Sequence, residues 1–202
     1  LRIDDPAAFP FVDPPAPKSL RVGYDILEEL GAIEREEDGD GTARRRLTPQ
    51  GRRMARLPLD PRIARMILEA EKEGCLDEIL VIAAALGIQD PRERPAGKEK
   101  EADAAQALFV HPASDFLTLL ALWERFHENA PDGKPSGRLR RFCRDHFLSF
   151  RRMKEWRDVH GQLREIVEEE APAHGGRARA KAPGGDPRAW YGRIHRSVLS
   201  GY

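Results

Sequence analysis

The residues best suited to chemistry in this chain are arginines. Arg138, Arg140, Arg141, Arg144, Arg151 and Arg152 crowd one stretch, and Arg92 and Arg94 stand in the segment Gln89-Asp90-Pro91-Arg92-Glu93-Arg94-Pro95. A guanidinium is planar, permanently charged and meets two oxygens of a phosphate or carboxylate at once. Such a set can hold a phosphate backbone or close internal salt bridges with the chain's many glutamates, and the residue types fit both. Catalytic arrangements are harder to assemble. A phosphate-cradling loop needs Gly-Lys-Ser/Thr with a second glycine upstream. Around Gly133-Lys134 the upstream position holds Glu128 and the hydroxyl position holds Pro135, so the pair reads as a turn. Asp77-Glu78 lacks the Ala-His or Ala-Asp continuation of a motor's acidic box. Cys143 and His146 lie one helical turn apart, but no second pair completes a zinc site. Ser114, Asp115 and His111 could be drawn as a triad, yet no nucleophile elbow surrounds the serine. His160 falls on an apolar stripe and reads as a core histidine. The expectation is no catalytic residue, no metal site and no cofactor within this chain, and no ATP hydrolysis by it alone.

The bulk numbers bound what can position these groups. The chain has 202 residues, 40% of them hydrophobic, enough for one or two packed domains. Mean hydropathy is −0.60, and no run approaches the roughly 20 apolar residues needed to span a bilayer. Leu1-Arg2-Ile3-Asp4-Asp5 lacks the order of a signal peptide. The absence of an initiator Met suggests a piece of something longer. Cys75 and Cys143, far apart, fit a reducing compartment, with the cytoplasm as the expected location. The net charge of zero conceals segregation: from Asp25 to Asp40 eight acidic residues stand against Arg35, and from Arg44 to Arg65 eight arginines stand against Asp60. Arginine supplies 27 of the 34 positive charges, a bias that a base-rich genome would also produce.

The predicted elements are mostly helical. Residues 1–16 are proline-rich and extended, with Phe9-Pro10-Phe11 suited to strap onto a neighbouring domain. Leu20, Tyr24, Leu27 and Leu30 then recur at helical steps up to Gly31. A hairpin turning at Asp38-Gly39-Asp40-Gly41 leads to Thr48-Pro49, a cap and first-turn proline for a short helix to Arg56. Helix, hairpin, helix fits a winged helix over 17–58. A bundle over 59–169 follows. Asp60-Pro61 starts its first helix and Gly74 ends it, and Leu76–Leu86 is apolar almost all round, as a central helix should be. Residues 96–107 read as an exposed helix. Ser114 caps a helix whose Phe116, Leu119, Leu120, Trp123 and Phe126 form a core face. The pattern predicts one long helix over 137–169, roughly 45–50 Å if unbroken, with Phe147, Phe150, Met153, Trp156, His160, Leu163 and Val167 as its stripe. Residues 170–186 read as a flexible, protease-sensitive linker, and 187–202 as the start of a further helix leading on to another domain.

Several ordered motifs in register resemble the C-terminal region of bacterial DEAH-box RNA helicases, most closely the HrpA branch. They are Phe9-Pro10-Phe11 with Gly23-Tyr24 and Leu27-Glu28-Glu29-Leu30-Gly31-Ala32; Leu47-Thr48-Pro49-Gln50-Gly51-Arg52 running to Leu57-Pro58-Leu59-Asp60-Pro61-Arg62; and Ile82 to Pro95, followed by Ser114-Asp115-Phe116-Leu117. Arg152-Met153-Lys154-Glu155-Trp156-Arg157-Asp158 adds to the likeness. The resemblance spans about residues 1–169 and the last helix; 171–186 matches nothing in it. It implies a mainly α chain, a winged helix followed by a helical ratchet bundle, in a parent that also carries two RecA-like motor domains and an oligonucleotide-binding barrel. In such a parent, ATP and Mg belong to the motor domains, which pull single-stranded RNA 3′-to-5′. The implied partners of this chain are that RNA, the motor domains and the barrel, with no membrane. The eight arginines named above would line the RNA channel. A stand-alone winged-helix regulator with a helical dimerisation domain, reading duplexes through Arg52, Arg53 and Arg56, is the alternative. A docking adaptor acting through the acidic stretch 25–40 is a third.

Overall fold

The computed structural model describes residues 9–37, 43–129, 137–170 and 187–202. The hairpin tip, the Gly133-Lys134 turn, the linker at 171–186 and the first half of the proline-rich segment lie outside these. Helix α1 (Pro17–Glu29) ends at Gly31, whose φ of 67° needs a residue without Cβ. The chain then enters β1 (Ile33–Glu37) and β2 (Ala43–Leu47), an antiparallel pair with Ile33 opposite Leu47 and Arg35 opposite Arg45. Glu28 on α1 accepts both Arg35 and Arg45, and the Arg45 guanidinium lies 4.1 Å from the Tyr24 ring centre, so the wing is held to α1 largely by charge. Helix α2 (Pro49–Met54) begins where Thr48 accepts from the Gly51 amide, while the Thr48 hydroxyl donates back to Gly31 O. Gly51 sits against the Ala32 backbone, where a Cβ would come within 1.9 Å of the carbonyl oxygen. Leu30, Ala32, Ile33, Met54 and Leu57 fill this small core.

Asp60 caps α3 (Pro61–Glu73) by accepting from the Arg62 amide, and Gly74 closes it with φ 72°. Helix α4 (Leu76–Leu86) buries every residue from Ile79 to Ala85 because α3, α6, α8 and α9 all pack on it. Helices α5 (Glu99–Gln106), α6 (Asp115–Glu128), α7 (Gly137–Asp145), α8 (Phe150–Glu170) and α9 (Pro187–Leu199) complete the described residues. Trp156 is fully buried, its indole N–H donating to Val81 O at 2.9 Å. On α6, Leu117, Leu120, Leu122 and Phe126 are buried, whereas Trp123 is only partly buried. Trp123 lies beside Trp156, His127 and His160, so it borders the core and does not fill its centre.

One predicted element changes. The long helix over 137–169 is broken in two. At residues 146–149 the chain makes a Schellman-type stop: Leu148 N–H donates to Cys143 O and Phe147 N–H to Arg144 O, with Phe147 at φ 52° in the position glycine usually takes. Phe147 therefore drops out of the α8 stripe. The last helix packs on α3. Ile194 and Val198 are buried, Arg196 pairs with Glu73, Arg62 donates to Gly201 O, and Trp190 donates to Glu78.

Candidate nucleic-acid interface

The arginines gather around that break. The chain leaving α4 runs out as a short extended piece beside the elbow between α7 and α8, and the two are laced together by backbone. Glu93 N–H donates to Phe147 O, Ser149 N–H donates to Pro91 O, both at 2.8 Å, and Arg92 bridges antiparallel to Leu148. Gln106 on α5 reinforces the lacing, its amide donating to both Glu93 O and Phe147 O.

Asp90 is the electrostatic centre of the joint. Its carboxylate accepts the Arg92 amide, Nε and Nη2, the last at 2.6 Å, while Arg152 donates to its backbone oxygen. Burial raises the Asp90 pKa, but hydrogen bonds from Arg92 and the charges of Arg92 and Arg152 outweigh that and leave it below the usual carboxylate value. Arg94 turns the other way, toward α5, in a two-pronged pair with Asp103 at 2.8 Å. Hydrogen bonding to Arg94 lowers the Asp103 pKa in turn.

On α7, Leu139 and Cys143 face inward while Arg138, Arg140, Arg141 and Arg144 are exposed. Arg138 donates to Asn129 at the end of α6, and Arg144 makes a long 3.5 Å contact with its neighbour Asp145. Arg140 crosses the elbow to place its guanidinium over the Phe150 ring, 5.0 Å from the centre. Arg141 and Arg151 are exposed with no hydrogen-bond or ion-pair partner among the described residues. So contacts bring Arg92, Arg140 and Arg152 to the elbow, Arg144 and Arg151 adjoin it in the chain, Arg94 and Arg138 turn to Asp103 and Asn129, and Arg141 stands on α7 without a contact that ties it there. Of the supporting groups, Phe150 stands in the predicted apolar stripe and Asp90 in the arginine-bearing loop segment, neither marked there as a support, while Asp103 and Gln106 carry no local signal.

The other chemistry-bearing residues have structural employment. Ser114 caps α6 and bonds His195, not His111, whose Nδ1 accepts the Ala113 amide. Burial pushes the Cys143 thiol up to about 11, and His146 Nδ1 is bonded to Phe142 O. Among the described residues no cluster of three His, Cys, Asp or Glu is placed to hold a metal, and no helix is long and apolar enough to cross a membrane.

Comparison with known families matches residues 25–59 to "Helicase associated domain (HA2), winged-helix" and residues 60–119 to "Helicase associated domain (HA2), ratchet-like". Two curated relatives align along 201 residues at 40% identity: the ATP-dependent RNA helicase HrpA of Escherichia coli (strain K12) and the ATP-dependent RNA helicase HrpA homolog of Haemophilus influenzae. The alignment covers 100% of this chain and 14% of each relative, so the chain spans about one seventh of their length.

Proposed function

This chain is a helicase-associated region of the HrpA type, a winged helix followed by a ratchet-like helical domain, and on that premise we propose that it lines the path of single-stranded RNA in an ATP-dependent 3′-to-5′ RNA helicase. The nucleotide chemistry, with ATP and Mg, falls in this reading to motor domains elsewhere in the parent protein. The observation that carries the proposal is that Arg141 on α7 and Arg151 on α8, on either side of the elbow in the chain, are exposed with no hydrogen-bond or ion-pair partner among the described residues. A motor must grip any sequence, and guanidinium groups on backbone phosphates do this without reading bases. Arg92 and Arg94, each committed to a carboxylate, brace the loop, and the phosphates fall to Arg141, Arg144 and Arg151. The regulator alternative loses support because the α2 arginines are used internally: Arg52 donates to Leu47 O and Arg53 pairs with Glu71.

The test is RNA binding by the full chain at several salt concentrations. The double variant Arg141→Ala/Arg151→Ala should bind single-stranded RNA more weakly whatever its sequence. The slope of log affinity against log salt should become shallower by roughly 0.7 for each phosphate that is no longer neutralised. Unchanged affinity and slope would overturn the reading.

A further inference from the structure

Phosphate contacts alone leave the bases unaccounted for, and one pair at the elbow has the chemistry to meet them. Arg140 projects from α7 over the Phe150 ring at the start of α8, 5.0 Å from its centre. Its guanidinium is exposed and has no carboxylate partner among the described residues. An arginine held against an aromatic face keeps its other face open, and a guanidinium plane is a surface on which a nucleobase stacks. We propose that Arg140, steadied by Phe150, is a stacking plate for one base of a bound single strand, with Arg141 and Arg151 beside it for the flanking phosphates.

The molecule contains a second arginine of this kind that shows what the first is free to do. Arg45 lies even closer over Tyr24, at 4.1 Å. Its Nε, however, is bound to Glu28, which also takes Arg35, so this guanidinium is already committed to a carboxylate. At the elbow the carboxylates present, Asp90 and Asp145, are engaged by Arg92 and Arg144, while Arg141 and Arg151 have no such partner among the described residues, so a base brought by its own phosphates meets cations that are still available. Stacking is tolerant of sequence, because every base has a flat face.

The inference rests on the reading of the elbow as an RNA surface, and the experiment separates the two. Arg140→Lys keeps the charge and loses the plane; Phe150→Leu keeps the bulk and loses the ring. Each full-chain variant is titrated against oligoadenylate RNA and against an oligomer of equal length made of abasic ribose phosphates. Wild type should prefer the oligoadenylate. Arg140→Lys should lose roughly five- to hundredfold on it, with its salt slope unchanged and its affinity for the abasic strand retained. Phe150→Leu should fall between. A strand carrying 2-aminopurine should show fluorescence quenching on wild type that Arg140→Lys diminishes. Arg140→Lys binding both strands like wild type would overturn the stacking plate, and so would equal losses on both, since Arg140 would then be a phosphate contact. No binding of either strand by wild type at low salt would remove the RNA surface itself, and the plate with it.

Discussion

His160 packs its ring 4.7 Å from Trp123, which also touches His127 at 4.2 Å. Burial lowers the His160 pKa below 6.5, and the charges of Arg164 and His127 push the same way, with only Asp77 opposing. The folded chain therefore disfavours protonation more than the unfolded chain does. Stability from this site is fully present above the unfolded value near 6.5 and is lost as pH falls through it toward the lower folded value. Between about pH 7.5 and about pH 5.5, wild type should lose more denaturant resistance than His160→Phe, which cannot titrate. Equal losses in urea melts would mean that His160 does not sense pH. The residue scale also shows why the arginines were legible and their duties were not. Arg92 and Arg94 stood out as residue types in a loop. That they are tied to Asp90 and Asp103 depends on how the loop folds back, which spacing does not encode.

At the scale of elements, the wing and the start of the bundle follow from local signals: Thr48-Pro49 and Asp60-Pro61 at helix starts, Gly31 and Gly74 at helix ends. These act within a few residues, so a sequence displays them. The α7–α8 elbow has no such display, because Phe147 occupies the left-handed position that a glycine would have announced. The docking of α9 was hidden for a different reason. Its anchors, Arg196 on Glu73 and Arg62 on Gly201 O, join positions more than a hundred residues apart. Helix α2 offers a direct test of local packing. Gly51→Ala drives a Cβ into the Ala32 backbone, and it should cost at least the roughly 1–3 kcal/mol typical of overpacking, since backbone cannot step aside. Gly23→Ala, at an α1 position with open space around it, should be neutral or stabilising by up to about 1 kcal/mol. Thermal melts of the pair should diverge in sign or size; matching shifts would mean that α2 does not press on Ala32.

For the whole molecule, α9 is the cover over α3 and the start of α4. Cys75 lies beneath it, buried, its sulfur 3.3 Å from Ser197 Oγ, and burial pushes its thiol up to about 11. A chain ending before residue 187 should expose Cys75 to a disulfide reagent at neutral pH, turning one slow thiol fast while Cys143, on the inward face of α7, stays slow. Two slow thiols in the shortened chain would show that α9 is not the lid. The backbone lacing between 91–93 and 147–149 has a mechanical meaning at this scale. Its hydrogen bonds run crosswise to the chain, so tension along the elbow meets them in shear, together, and not one at a time as in unzipping. The laced segment continues directly from α4, the helix gripped by four others. A bare turn between two helices would be a hinge; this one is tied by backbone to the segment that follows the central helix.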